Sequence, residues 1–186
     1  MNIAVTTQDE ILRVCRELVA KEGIHALNMR RVAEACNVAL GSLYNYFGAK
    51  DELITAVIDS VWRDIFHVSG EENLTRSFID QVKYLFDCAR EGESSYPSFF
   101  GAHMLQFASG APKSVARVTM GKCFDEMKNG LMACLASDAM IRPDAFSDTF
   151  SERVFVDFVF SAFLFTLLQR KSDEPLLEVI RRSVYR

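Results

Sequence analysis

Asn28 to Leu53 reads NMRRVAEACNVALGSLYNYFGAKDEL. This pattern predicts two short helices joined by a tight turn, then an aromatic cluster, then a lysine that opens a third helix. Asn28 suits a helix cap, because its side-chain oxygen accepts from an orphan N–H of the first turn. Met29, Val32, Ala33 and Cys36 recur at helical spacing and make one face apolar, with Arg30, Arg31 and Glu34 mainly on the other side. Asn37 tolerates the left-handed backbone of a sharp turn, and Val38 plugs the angle between the helices. The second helix is expected from about Leu40 to Phe47, with Leu43 and Phe47 pointing inward together. Gly41, Ser42, Tyr44, Asn45 and Tyr46 are left for the outer face.

Such a pair is the arrangement of a helix-turn-helix, which sets its second helix into the major groove of DNA. Gly41 and Ser42 are small enough to let backbone approach phosphate or base edges. Tyrosine and serine hydroxyls and the Asn45 amide suit phosphates, and asparagine also reads a base edge. Lys50 stands just before a helix, where its ammonium and the helix N-terminus act on one phosphate. An ordinary helical hairpin satisfies the same spacing, so spacing alone leaves both readings open.

The stretch Gly41-Ser42-Leu43-Tyr44-Asn45-Tyr46-Phe47, followed by Lys50-Asp51-Glu52-Leu53, closely resembles the signature of the TetR family of transcription regulators. So does Met29-Arg30-Arg31-Val32-Ala33-Glu34-Ala35, and the resemblance runs from about Gln8 to Val57. It implies a DNA-contact set of Asn28, Arg30, Arg31, Ala39, Leu40, Gly41, Ser42, Tyr44, Asn45, Tyr46 and Lys50. Five positions depart from the family pattern. Asn37 replaces the turn glycine, and Ala39 stands where a Ser or Thr cap is usual. Leu40 occupies a position that is commonly basic or polar, and Gly48-Ala49 replaces Pro-Ser. Leu40 cannot hydrogen-bond a base, although it suits a thymine methyl.

The 186 residues, 49% of them hydrophobic, are enough for a small head on a larger core. We expect an all-α chain of about nine helices: a three-helix DNA-binding head over residues 1–50, and a helical ligand-binding and dimerisation body over 51–186. Net charge is −4, but residues 1–50 hold six Lys/Arg against five Asp/Glu, and the remainder fifteen against twenty. A weakly positive head on an acidic body is compatible with a local DNA surface and predicts salt-dependent binding. Cys15, Cys36, Cys88, Cys123 and Cys134 are odd in number and lack metal or redox spacing. With no charged-then-apolar leader at the start, the expected compartment is the reducing cytoplasm.

Thr7-x-x-Glu10 is a capping box for a first helix whose apolar face is Ile11, Val14, Cys15, Leu18 and Val19, ended by Gly23. A fourth helix is expected over about Lys50–Val68 and a fifth over Leu74–Arg90. Glu91-Gly92-Glu93-Ser94-Ser95 reads as a polar break. A short helix over Pro97–Ala108 and a long one over Lys113–Ala136 follow.

Seven of the fifteen phenylalanines lie between Phe146 and Phe165. A helix apolar all round must be covered on all sides. A membrane span is the rival account, and Asp157, Ser161 and Thr166 interrupt it. The resemblance implies that Ala145–Arg170 and Glu174–Val184 pair with a second copy, through Phe150, Val154, Phe158, Ser161, Phe165, Leu168, Leu177 and Ile180. Phe163 is a further candidate for that face.

In the family a small molecule binds inside the body and shifts the heads. Trp62, Phe66, Phe86, Phe99, His103, Met104, Phe107, Phe124 and Met127 are candidates for such a lining, with Asp157 as an orienting charge that needs a partner. They suit an apolar or aromatic effector, although each is equally suited to a plain core. No cofactor is implied. There is no GxSxG, HExxH, phosphate loop or dinucleotide fingerprint, and His25, His67 and His103 are isolated, so an enzyme is not expected. The reading is therefore a ligand-responsive regulator, with a repressor as the default. The alternative is a helical dimeric adaptor that has lost sequence-specific DNA binding.

Overall fold

The computed structural model describes residues 7–67, 76–97, 99 and 115–186, with only the backbone described for 115–120. Eight α-helices occur among these residues: α1 Gln8–Glu22, α2 Met29–Ala35, α3 Leu40–Tyr46, α4 Lys50–Phe66, α5 Phe78–Ser95, α6 Val115–Ser137, α7 Glu152–Leu168 and α8 Glu174–Val184. The only β pairing among them is two isolated bridges, so the class is all-α as expected. The helix expected over 97–108 lies outside the described residues. The chain forms two compact units, Met1–Ile65 with Gly92–Gly121, and Phe66–Glu91 with Lys122–Arg186.

In the first unit the local signals act as written. Thr7 Oγ1 accepts from Glu10 N–H, and the Glu10 carboxylate accepts from Thr7 N–H at 2.9 Å. Gly23 closes α1 with φ 81°, a conformation open to glycine. A short 3-10 turn over Ile24–Ala26 leads to α2. Ile11, Cys15 and Val19 of α1 are buried, as are Leu27, Met29, Val32, Leu43, Phe47, Leu53, Val57, Val61 and Trp62. His67 ends α4 with φ 47°.

The expected break at Glu91–Ser95 is overturned, because α5 runs through it to Ser95. Tertiary packing outweighs the weak local propensity of this polar stretch. A Cβ built on Gly92 would stand 2.6 Å from Ile65 Cγ2 and 2.9 Å from Cγ1, so the bare backbone lets the end of α5 lie against α4. Helix propensity favours Gly92→Ala by about 1 kcal/mol, while overpacking against a β-branched side chain costs about 1–3 kcal/mol. We expect Gly92→Ala to lower the melting temperature by about 2–4 °C, measured by circular dichroism. A rise would show that Ile65 yields freely.

In the second unit α7 begins at Glu152 rather than near Ala145. Ser151 Oγ caps it by accepting from Val154 N–H at 3.4 Å. Before it, Ile141 bridges to Tyr185, and Arg142 N–H donates to Val184 C=O at 2.8 Å, which ties down the C-terminus. Tyr185 Oη donates to Asp138 Oδ2 at 2.6 Å and accepts from Ile79 N–H, while Asp138 also accepts from Phe78 N–H. Two orphan donors of α5 are thereby satisfied by residues distant in the chain. Burial alone would push the Asp138 carboxyl up; hydrogen bonds from Tyr185 and the Phe78 and Met140 amides outweigh it and hold it below the usual range.

The core of this unit is aromatic. Phe163 meets Phe86 edge-to-face at 4.8 Å and Phe66 at 6.4 Å, Phe160 meets Phe124 at 5.3 Å, and Phe155 meets Phe78 at 5.5 Å. Leu176, Leu177, Ile180 and Val184 of α8 are buried. No described helix is long and apolar enough to cross a membrane.

Candidate nucleic-acid interface and the apolar face of α7

α1 packs on α2 and α2 on α3. Asn28 Oδ1 accepts from Arg31 N–H at 3.0 Å and so starts α2. Asn37 takes φ 54°, which turns the chain, and Val38 N–H closes the turn on Ala33 C=O at 3.0 Å. Val38 itself is half-buried. α3 then starts at Leu40 with Ala39 at the cap position and no side-chain cap.

The inward side of α3 is Leu43, continued by Phe47, and both are buried. Leu40, Gly41, Ser42, Tyr44, Asn45 and Tyr46 are exposed. Leu40 and Tyr44, Gly41 and Asn45, and Ser42 and Tyr46 are each four apart and form three adjoining rows. Tyr44 leaves 46% of its surface open, a large exposure for an aromatic residue. A Cβ on Gly41 would meet nothing within 4 Å, so the fold does not need glycine there.

Lys50, the first residue of α4, is exposed, as is Arg30. Arg31 pairs with Glu22 at the end of α1, so part of its charge is spent within the head. The Glu52 carboxylate reaches back to accept from Gly48 N–H at 2.9 Å. That contact shapes the link between α3 and α4, and its signal, a glutamate at N3, stood in the sequence unread. Ala39 and Asn28 are also exposed, so every residue of the expected contact set lies at the surface.

The five cysteines form no disulfide, and all but the half-buried Cys36 are buried. Burial pushes Cys15 up to about 12, with neighbouring Cys36 adding to the rise. Burial also raises Cys36, Cys88 and Cys134. Protonated thiols of this kind are poor nucleophiles.

The residues expected to line a ligand site divide between the two units. Trp62 and Phe99 are buried together in the first, ring centroids 5.6 Å apart. Phe66, Phe86, Phe124 and Met127 are buried in the second. His103, Met104 and Phe107 lie outside the described residues. Asp157 is on the surface of α7, with Lys128 Nζ at 3.4 Å as its ion-pair partner.

Among the described residues, α7 has a buried side and an exposed apolar side. Phe155, Val156, Val159, Phe160 and Phe163 are buried, whereas Val154, Phe158 and Phe165 are 50%, 55% and 57% exposed. Phe150 is also exposed, Ser161 lies on the open side, and Leu168 is half-buried. Val154, Phe158, Ser161 and Phe165 follow one another along α7 at steps of four, three and four, a single helical stripe, and Phe150 lies just before the helix. Leu177 and Ile180, expected on the same face, are buried in the core of the unit; Val179 is the exposed apolar residue of α8. Phe163 is likewise internal.

Residues 11–57 match the family described as bacterial regulatory proteins, tetR family. Over these residues the chain is similar to that family. It is 34% identical over 55 residues to the HTH-type transcriptional regulator UidR of Escherichia coli, a match covering 30% of this chain and 28% of that one. It is 30% identical over 57 residues to the HTH-type transcriptional repressor KstR2 of Rhodococcus jostii, covering 31% and 28%. The chain thus spans less than a third of the length of these two relatives. Along its whole length the fold resembles the crystal structure of reduced E. coli NemR, with a TM-score of 0.63 at 14% identity, covering 95% of this chain and 96% of that one.

Proposed function

We propose that this chain is a ligand-responsive, DNA-binding transcription regulator, a repressor that acts as a cytoplasmic homodimer on a palindromic operator. The reading rests on α3, whose apolar side is buried through Leu43 while a small-and-polar face with two tyrosines stands open to solvent. Residues 1–50 carry the DNA contacts, and residues 51–186 carry dimerisation and the effector. Tyr44, Tyr46 and Lys50 act on phosphates, Asn45 on phosphate or a base edge, and Leu40 on a thymine methyl.

Support for the dimer comes from the stripe Phe150, Val154, Phe158 and Phe165. Burying one such side chain is worth about 1.5–3 kcal/mol, and a two-fold axis covers the stripe with its own copy. Two heads then meet half-sites about 34–36 Å apart or a multiple of that. An apolar or aromatic effector that favours a different head spacing by about 1–3 kcal/mol changes affinity about 5–150-fold. The repressor name of one relative supports repression.

Selection from random-sequence duplexes tests the reading, and enrichment of an inverted repeat is the expected result. No enrichment would favour the dimeric adaptor, which the uncapped Ala39 and exposed Leu40 suit better. On the enriched duplex, Lys50→Ala should weaken binding alike across sequences and lower the slope of log affinity against log salt by about 1. An unchanged slope, by fluorescence anisotropy, would remove Lys50 from the phosphate contacts.

A further inference from the structure

Within the first unit a chain of polar contacts runs from the end of α5 to the head. Tyr96 is buried, and its hydroxyl donates to Asp64 Oδ2 at 2.7 Å. The other Asp64 oxygen, Oδ1, faces Arg16 Nε at 3.4 Å. Arg16 lies in α1, and its Nη1 also donates to Ser60 Oγ, whose residue is buried on α4. One short carboxylate therefore stands between a tyrosine of the segment following α5 and an arginine of the head.

The tyrosine end is held firmly. Tyr96 N–H donates to Gly92 C=O at 2.8 Å and Phe99 N–H to Tyr96 C=O at 3.0 Å. Phe99 lies against both Tyr96 and Trp62, with ring centroids 6.3 Å and 5.6 Å away. Gly92 lies against Ile65 without room for a Cβ. A movement of this segment thus has an aromatic and a polar route into α4, and Asp64 extends the polar route to α1.

We infer that Tyr96 and Asp64 are positioning residues that set how α1, and with it the helix-turn-helix, is seated on α4. The inference deepens the regulator reading and rests on it for its biological meaning. Trp62 and Phe99, which pack on each other beside Tyr96, are both in the expected effector lining. A ligand that draws the Tyr96 hydroxyl off Asp64 loosens the carboxylate's hold on Arg16 and frees the head to reorient. The ordinary alternative is a local clamp that stabilises the end of α5 and nothing beyond it.

Amide hydrogen exchange on the full chain separates the two without any DNA or effector. Tyr96→Phe and Asp64→Asn keep side-chain shape, so at least one of them is expected to stay folded. A hydrogen bond to a charged group is strong enough that its loss should speed exchange at α1–α3 amides at least about fivefold. In an Arg16→Gln background, Tyr96→Phe should add little further change, because the route is already cut. Faster exchange confined to residues 90–99 and the end of α4, or full additivity with Arg16→Gln, would overturn the inference. Since the readout needs no operator, its failure is distinct from a failure to enrich one.

Discussion

Phe163→Ala is expected to lower the melting temperature by about 6–20 °C. Phe163 is fully buried and touches the rings of Phe66, Phe86 and Phe160, with centroids at 6.4, 4.8 and 5.8 Å. Truncating a phenylalanine in such a site removes its transfer energy and leaves a cavity, together about 3–5 kcal/mol. Each kcal/mol moves the midpoint by about 2–4 °C in a chain of this size. The edge-to-face contacts with Phe66 and Phe86 add to the loss. Differential scanning calorimetry is the check. A shift under about 3 °C would mean that the aromatic cluster collapses into the space.

Phe158→Glu is expected to act on association instead of folding. Phe158 is five residues from Phe163 on the same helix, yet it is 55% exposed, and Val154 and Phe165 beside it are similarly open. A glutamate there is solvated in the free protomer and costs it little. Against a second copy, two carboxylates would face each other across an apolar seam, and burying unpaired charge costs several kcal/mol per ion. The expected result is a monomer by light scattering, with helical content unchanged and affinity for an enriched inverted repeat reduced at least about tenfold through loss of the paired head. A dimer of unchanged strength would put the interface elsewhere on the chain.

The contrast between these two phenylalanines shows where sequence reading stops. α7 is apolar on nearly every side, so its periodicity does not say which side faces its own unit. Leu177 and Ile180 illustrate the same limit in reverse: their stripe is plain in the sequence, but it closes the core, while Val179 stands outside. Asp157 stood out as a charge inside an apolar run and belongs to the open face beside Lys128. The Glu91–Ser95 stretch carries polar, helix-neutral residues, and only the close approach of Gly92 to Ile65 explains why α5 continues through it.

By itself the sequence determined what depends on neighbours within about four residues. Thr7 and Asn28 start helices, Gly23 ends one, Asn37 turns the chain, and Leu43 with Phe47 divides the inner side of α3 from the outer. The caps and turns among these outcomes follow from a residue meeting backbone in its own turn, which is why local spacing signals them. Only the tertiary structure decided the Tyr96–Asp64–Arg16 route, the Tyr185–Asp138 cap on α5, and which phenylalanines of α7 stay in water. Those outcomes join residues dozens of positions apart, and nothing in local spacing encodes which of several equally suitable side chains will arrive.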